Sequence, residues 1–396
     1  MVIRYIKTFC FIILWWTAAS CAAWSGGVPP VETSDPPAYG GVPPVETSEP
    51  PKYDDIPVYN KPVKNIAESD ITITEVLIPQ SVGYEHIELQ YIIDENYALL
   101  TRSRGDRSAF WPPTNEIFYY IFTANLWEEP LSDEDIYVYP VCADADYCIG
   151  TTTTESMFYR SGTLVLLDKN RRALTTFFRY KQYENGLTGL HPNNIVIWNH
   201  HVYFDDFIFE ATDATLYAYD IKNDQLRVFR EHAMNPIIYK NEVWFFTPDE
   251  QGAFTLLRSE SGGLIKNNHP IDALVGSQDK LFTIRGMGES PKWGASLTGV
   301  FEWDSKTAVV EFRGGNILYR LQGSRDFITW EMPLPHQLPC LYDTADEVIY
   351  EFMDYVYDAY HYTFYLSNQT GLLHIVELNE EQKKIGREKY LLFRKQ

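Results

Sequence analysis

Beyond about residue 70, apolar and polar residues alternate in short runs broken by Asn, Asp, Gly and Pro. A period of two is the pattern of half-buried strands, and no long helical periodicity accompanies it. The runs recur. TLVLLDKNRRALTTF (Thr163–Phe177) and TLYAYDIKNDQLRVF (Thr215–Phe229) both open on an alternating stretch that ends at an aspartate, Asp168 or Asp220. Both then place a leucine, Leu174 or Leu226, and close on Phe. GVFEWDSKTAVVEF (Gly299–Phe312) follows the same pattern with a slightly shorter turn. Each reads as strand, Asp-led turn, strand, with the carboxylate free to accept the amides of its own turn.

A second kind of strand precedes each hairpin, starting near Glu95, Ala145, His200, Asn241, Gln278, Ser324 and Ala359. Each is followed by a third strand, starting at Glu116, Thr163, Thr215, Phe254, Gly299, Cys340 and Gly371. Four-stranded units recurring about every 40–50 residues predict a β-propeller, because one blade cannot bury both its faces and a ring of blades can. The expected fold is therefore all-β, a propeller of seven four-stranded blades. Six or eight blades stay open because the first two units carry long insertions, and a pair of β-sandwiches is the competing architecture. Ile71–Pro79 (ITITEVLIP) lies ahead of the first unit. It is expected to complete the last blade beside Tyr390–Arg394 (YLLFR), closing the ring and hiding a strand edge. The run LYAYD (Leu216–Asp220) resembles third strands in the broad class of bacterial secreted propellers, and the likeness, one of architecture, covers about residues 70–396. Trp303-Asp304 ends a third strand as in WD-repeat proteins, but the Gly-His pair of that family is absent. SRDFITW (Ser324–Trp330) lacks the Gly, the spacing and the strand position of a sialidase Asp-box.

The N-terminus has a different texture. Met1–Lys7 is basic, Thr8–Ala19 (TFCFIILWWTAA) is uncharged and apolar, and small residues follow. This is the layout of a secretory signal peptide over residues 1–20, short for a membrane span, which needs about 20 apolar residues. Ala18-Ala19-Ser20-Cys21 resembles a bacterial lipobox, although Leu is the commoner residue at its first position. The resemblance implies cleavage before Cys21, lipidation of Cys21, and anchoring on the extracytoplasmic side of a bacterial membrane. Ordinary cleavage after Ala23 and an uncleaved anchor across Thr8–Trp24 are the alternatives. Residues 21–69 then form a linker that holds one phrase written twice, GGVPPVETSDPPAY and GGVPPVETSEPPKY (Gly26–Tyr53). Pro-Pro pairs exclude a helix or a central strand. An extended stalk spanning on the order of 90 Å is expected, from about 3.1 Å per residue in polyproline II. A Pro-rich docking site is the sharper alternative to a passive linker.

Composition narrows the partners. The chain has 396 residues, 45% of them hydrophobic and 15% aromatic, enough for a large strand-rich core. The formal net charge of −21 repels phosphate backbones and anionic head groups. Nucleic acid is therefore not an expected partner, and membrane attachment is expected through the lipid.

Candidate chemistry is sparse. Cys142 and Cys148 flank ADADY and are expected to form a small disulfide in an exported protein. Asp144 and Asp146 in that loop are spaced as in calcium loops, without the later ligands. Cys340, on an apolar strand, reads as a buried thiol. His200 and His201 are expected to point to opposite sides of a strand. Arg104-Gly105-Asp106 is a tripeptide too short to argue from. No motif for a catalytic centre, cofactor or metal is present. In a propeller, the segments joining second to third strands share one rim with the blade-to-blade links. Here those segments carry Arg107, Trp111, Lys292, Trp293 and His336. Aromatics beside cationic groups suit a glycan or peptide ligand, and suit plain loop packing equally. The expected function is a binding or scaffolding module at the cell surface. An enzyme acting on glycans or peptides at the same rim, and a structural component of an envelope complex, are the alternatives.

Overall fold

The computed structural model describes residues 57–79, 85–104, 115–131, 138–152, 163–180, 195–206, 214–266, 273–277, 279–289, 296–303, 305–312, 320–331, 338–355, 359–367, 370–379 and 384–395. Three strands, β1 (Val58–Tyr59), β2 (Val63–Asn65) and β3 (Ile71–Val76), precede the first blade. Blade 1 is β4 (Glu85–Ile92), β5 (Tyr97–Arg104), β6 (Asn115–Ile121) and β7 (Leu126–Trp127). Blade 2 is β8 (Val138–Ala143), β9 (Tyr147–Thr152), β10 (Thr163–Asp168) and β11 (Ala173–Arg179). Blade 3 is β12 (Ile195–Trp198), β13 (His201–Asp205), β14 (Thr215–Asp220) and β15 (Gln225–Glu231). Blade 4 is β16 (Met234–Tyr239), β17 (Glu242–Pro248), β18 (Phe254–Ser259) and β19 (Leu264–Lys266). Blade 5 is β20 (Ala273–Ser277), β21 (Lys280–Glu289), β22 (Ser296–Glu302) and β23 (Ala308–Phe312). Blade 6 is β24 (Arg320–Gly323), β25 (Phe327–Glu331), β26 (Cys340–Asp343) and β27 (Val348–Glu351). Blade 7 is β28 (Ala359–Ser367), β29 (Thr370–Asn379), β30 (Lys384–Lys395) and, brought back from the start of the chain, β3.

The seven sheets form a closed ring: the first strands of successive blades touch in order, and β28 touches β4. This is the expected seven-bladed propeller. β3 pairs antiparallel with β30, from Ile71 opposite Lys395 to Val76 opposite Tyr390, as the alternation of Ile71–Pro79 predicted. The last unit is shifted by one strand from its sequence reading. Ala359–Ser367 is the first strand of its blade rather than the second, so Thr370–Asn379 is the second. β1 and β2 were not foreseen. β1 adds to β23 and makes blade 5 five-stranded, and β2 adds parallel to β27 on blade 6. The chain thus joins the propeller before the expected boundary at residue 70.

Each interface between neighbouring blades holds its own apolar cluster. Leu99 and Tyr119 meet Cys148 and Val165 between blades 1 and 2. Phe327 and Tyr350 meet Phe364 and Phe393 between blades 6 and 7, and Tyr120 and Leu100 meet Leu372 and Leu392 where blade 7 closes on blade 1. Burying one such side chain stabilises the fold by about 1.5–3 kcal/mol. The inner strands approach closely. A Cβ at Gly276 would lie 2.7 Å from the Ile238 carbonyl oxygen, and one at Gly323 2.8 Å from that of Gly276. Only glycine fits this backbone-to-backbone contact.

The turns that join first to second and third to fourth strands lie at one end of the ring. Asp168 and Asp220 accept the amides two and three residues on, as the repeats predicted, and Asp343 does the same in blade 6. The next turn position is left-handed, at Asn125 (φ 49°), Arg172 (51°), Asp224 (52°) and Glu347 (54°). His200 sits in a turn, not a strand. Asn199 and His200 have φ of 48° and 60°, a two-residue hairpin turn, and β13 starts at His201. At this end ion pairs cross between blades: Lys169–Glu128 at 3.0 Å (blades 2 and 1), Lys280–Glu347 at 2.8 Å (5 and 6), Lys395–Asp343 at 2.6 Å (7 and 6) and Arg394–Glu95 at 3.0 Å (7 and 1). Lys280 and then Lys61 hold the Glu347 carboxyl down at about 2.

The expected Cys142–Cys148 disulfide is not formed; both are free thiols, as is Cys340. A bulge in the β8–β9 ladder between Pro140 and Cys142 is the reason. Val138 faces blade 1 with Cys148, but past the bulge Val141 and Cys142 both pack toward blade 3. The two sulfurs therefore lie on opposite faces of the sheet. Burial, helped by the Asp144 carboxylate, pushes the Cys142 thiol up to about 12. Cys340 is buried, as expected, and its sulfur lies 3.1 Å from the Tyr59 hydroxyl of β1. Among the described residues no helix is long and apolar enough to cross a membrane.

Candidate functional site

The end of the ring opposite the tight turns is where each second strand ends and each third strand begins. The segments carrying Arg107 and Trp111, Lys292 and Trp293, and His336 join the second and third strands of blades 1, 5 and 6, so the topology assigns them to this end. Those five residues themselves, like Cys21, lie outside the described residues. The strand ends that flank the segments are described, and two constellations stand out.

The first lies on blade 3. β13 ends in Asp205 and is followed by Asp206, and the period of two sends the carboxylates to opposite sides. Asp205 is fully buried and accepts the Asn235 amide of blade 4 at 2.7 Å, with Asn235 at a φ of 55°. Asp206 accepts the Thr215 amide at 2.6 Å and the Tyr217 hydroxyl at 3.1 Å. Tyr180, in the blade 2 to blade 3 link, donates to the Asp205 carbonyl oxygen at 3.1 Å. Burial, then the Asp205 and Asp206 carboxylates, push its hydroxyl above the usual range. Phe178 packs edge-on against Tyr180 and Phe204, and Tyr217 stacks on Phe204 at 5.5 Å. These acids hold strand ends together and do not converge on a common point.

The second lies where blade 7 meets blade 1. On β28, the His361 Nε2 is 3.1 Å from the Thr363 hydroxyl. Across the sheet, Thr363, His374 and Tyr390 form one row of cross-strand partners, and His361, Val376 and Glu388 the next. His374 stacks on Tyr390, centroids 4.4 Å apart and planes within 8°, and its Nε2 is 3.3 Å from the Glu388 carboxylate. Tyr390 donates to Glu388 at 2.6 Å. The His374 imidazole, then the Tyr390 hydroxyl, hold the Glu388 carboxyl below the usual range against the opposing effect of burial. Burial and His374 lower His361.

Blade 1 faces this set with a different chemistry. Arg102 pairs with Glu116 at 2.8 Å and lays its guanidinium 4.6 Å from the Phe118 ring centroid and 5.7 Å from that of Trp127. Trp127 and Tyr390 join the same inter-blade cluster. On the first strand of blade 1, His86 is half-buried and Glu88 exposed, their side chains 3.9 Å apart. A cation held over aromatic rings on blade 1 therefore adjoins an imidazole–carboxylate–phenol set on blade 7. Sequence reasoning missed this constellation because its histidines are scattered along the chain. The signal was the register of AYHYTFYLS against GLLHIVEL, which sets Thr363 beside His374. Among the described residues no group of three or more His, Cys, Asp or Glu could hold a metal ion.

No protein family matches the chain, and no curated protein matches it. Its structure is similar to the β-propeller domain of the Trilobed protease from Pyrococcus furiosus, described as having an open velcro topology. That likeness has a TM-score of 0.50 at 8% identity, over 78% of this chain and 93% of that one. It is also similar to the Pyrococcus horikoshii acylaminoacyl peptidase, with a TM-score of 0.47 at 9% identity over 77% of this chain and 52% of that one. An oligogalacturonate lyase in complex with manganese has a TM-score of 0.44 at 10% identity, over 80% of this chain and 98% of that one. At such identities the likeness is one of fold.

Proposed function

We propose that this chain is an exported, lipid-anchored β-propeller that works as a binding or scaffolding module on the extracytoplasmic side of the membrane. Cys21 carries the lipid, the Pro-rich repeat is the stalk, and the face opposite the tight turns takes a glycan or a peptide. The observation that carries the binding reading is the interface of blades 7 and 1. There Arg102 lies over Phe118 and Trp127 on blade 1, and His361, His374 and Glu388 lie on the adjoining face of blade 7. Aromatic faces beside paired charges suit sugar rings and peptide groups. The blade 3 carboxylates favour binding over catalysis in one respect: their acceptor positions are occupied by backbone amides and a phenol. One observation favours the enzyme reading, namely that His361 shares a sheet face with the His374–Glu388–Tyr390 set.

The test is a thermal-shift screen of the full chain against cell-wall oligosaccharides and short peptides. A ligand at 100 times its Kd raises stability by about 2.7 kcal/mol. The expected result is a shift with one class that His361→Ala or Trp111→Ala abolishes. Conversion of that ligand on incubation would replace binding with catalysis. A shift that survives both substitutions would move the site elsewhere.

A further inference from the structure

The outer edges of these blades accept added strands. β1 extends blade 5 in the antiparallel sense, β2 extends blade 6 in the parallel sense, and β3 completes blade 7. The edges of blades 1 to 4 have no such cover among the described residues, and they differ. β7 has two residues and β19 three, too short to template much pairing. β11 has seven, with one buried and three partly buried. β15 (QLRVFRE) also has seven, and all but Phe229 are exposed. It contains no proline. A bulge at Leu216/Tyr217 affects only its far end and leaves Gln225–Val228 in regular register with β14. Long, exposed, proline-free edges are what proteins otherwise avoid.

We propose that β15 is a docking edge for an acidic, extended segment of a partner protein, which pairs with it as a fifth strand. The two faces of the edge state what the segment must carry. Leu226 and Val228, exposed by 41% and 51%, oppose Tyr219 and Tyr217 and so face the blade 2 side. They offer alternating apolar contacts to the added strand. Arg227 faces the blade 4 side, its guanidinium 5.5 Å from the Phe229 ring, and Arg230 is exposed near the end of the strand. Among the described residues neither arginine has an ion pair. On a chain of net charge −21, the stretch Gln225–Glu231 carries two arginines and one glutamate. That local positive charge attracts an acidic strand, while the two arginines and the net charge of each copy oppose edge-to-edge pairing between copies. The occupant is therefore an acidic–apolar alternating strand rather than a second copy. This edge lies outside the blade 7–blade 1 interface, and its test is independent of the ligand proposed for that interface.

The probe is a fluorescein-labelled, end-blocked octapeptide of alternating glutamate and valine, titrated into the full chain and followed by anisotropy. Hydrogen exchange read by mass spectrometry locates the contact. Saturable binding is expected, weakened at least tenfold by Arg227→Glu with Arg230→Glu, by Val228→Lys, and by raising salt from 50 to 300 mM. Amide exchange within 225–231 slows when the peptide is added, and Arg179→Glu on the β11 edge leaves binding unchanged. These residues are exposed, so unchanged circular dichroism and melting confirm that each variant folds. No binding, equal binding of a lysine–valine peptide, or binding indifferent to the β15 variants would overturn the proposal. So would a self-associated state in sedimentation that Val228→Lys dissolves, because a second copy would then hold the edge.

Discussion

An aspartate ends the third strand of blades 2, 3 and 6, and each time one carboxylate oxygen takes the next two free amides of the turn. Such groups decide where a strand stops, because they offer the backbone a partner other than the ladder. Asp168 is nearly buried, so Asp168→Ala leaves two turn amides without their acceptor. It is expected to cost about 1–2 kcal/mol in urea denaturation, with Asp168→Asn, which keeps an acceptor, costing less. This local chemistry was legible in the sequence because donor and acceptor lie within four residues. The Cys142–Cys148 pairing was misread because it depends on facing, and one bulged residue reverses facing without leaving a mark in the spacing. The His374–Glu388 contact escaped notice for a related reason. Only the register of β29 on β30 brings the two together.

Among the elements, strands that alternate over five or more residues announced themselves, and most of the ladders follow from them. β1 and β2 did not. Two or three residues carry no period, and their place is set by edges more than 240 residues away, as Asn60 shows by donating to Glu311 across a separation of 251. The one-strand slip in blade 7 has a similar origin. Ala359–Ser367 has the aromatic alternation of a second strand, and only the pairing partner distinguishes the two. β3 was legible because it alternates and because a ring needs a last strand. Ile71, 7% exposed in the cluster between blades 6 and 7, fixes its start. Ile71→Ala is expected to lower stability by about 2–4 kcal/mol and to raise light scattering on heating, as β30 loses its cover. Unchanged melting and scattering would mean that β3 is dispensable for closure.

For the whole molecule, cohesion comes from seven separate apolar interfaces and from ionic contacts that cross them at the turn-bearing end. Arg394 and Lys395 are adjacent in the chain yet reach opposite neighbours, Glu95 of blade 1 and Asp343 with Asp346 of blade 6. Asp343 has no exposed side-chain surface, so removing its partner strands a buried charge. Lys395→Met is expected to cost roughly 3 kcal/mol. Pairing it with Asp343→Asn should restore much of the loss, and a double-mutant cycle of denaturation midpoints measures the coupling. Additive losses would show that the contact is incidental. Arg394→Met, whose partner Glu95 is 40% exposed, should cost under about 1 kcal/mol.

The strands that reach blades 5, 6 and 7 from the beginning of the chain also impose an order in time. Translation makes Val58–Val76 first, and the edges that receive them belong to its last third. Until that last third emerges, β1, β2 and β3 have nothing to pair with, and blade 1 has no neighbour on its far side. Blades 1 to 4 each have their own four strands, but blade 1 must wait for blade 7 before its outer face is covered. Ring closure therefore waits on blade 7, and contacts of such long sequence separation make that final step slow.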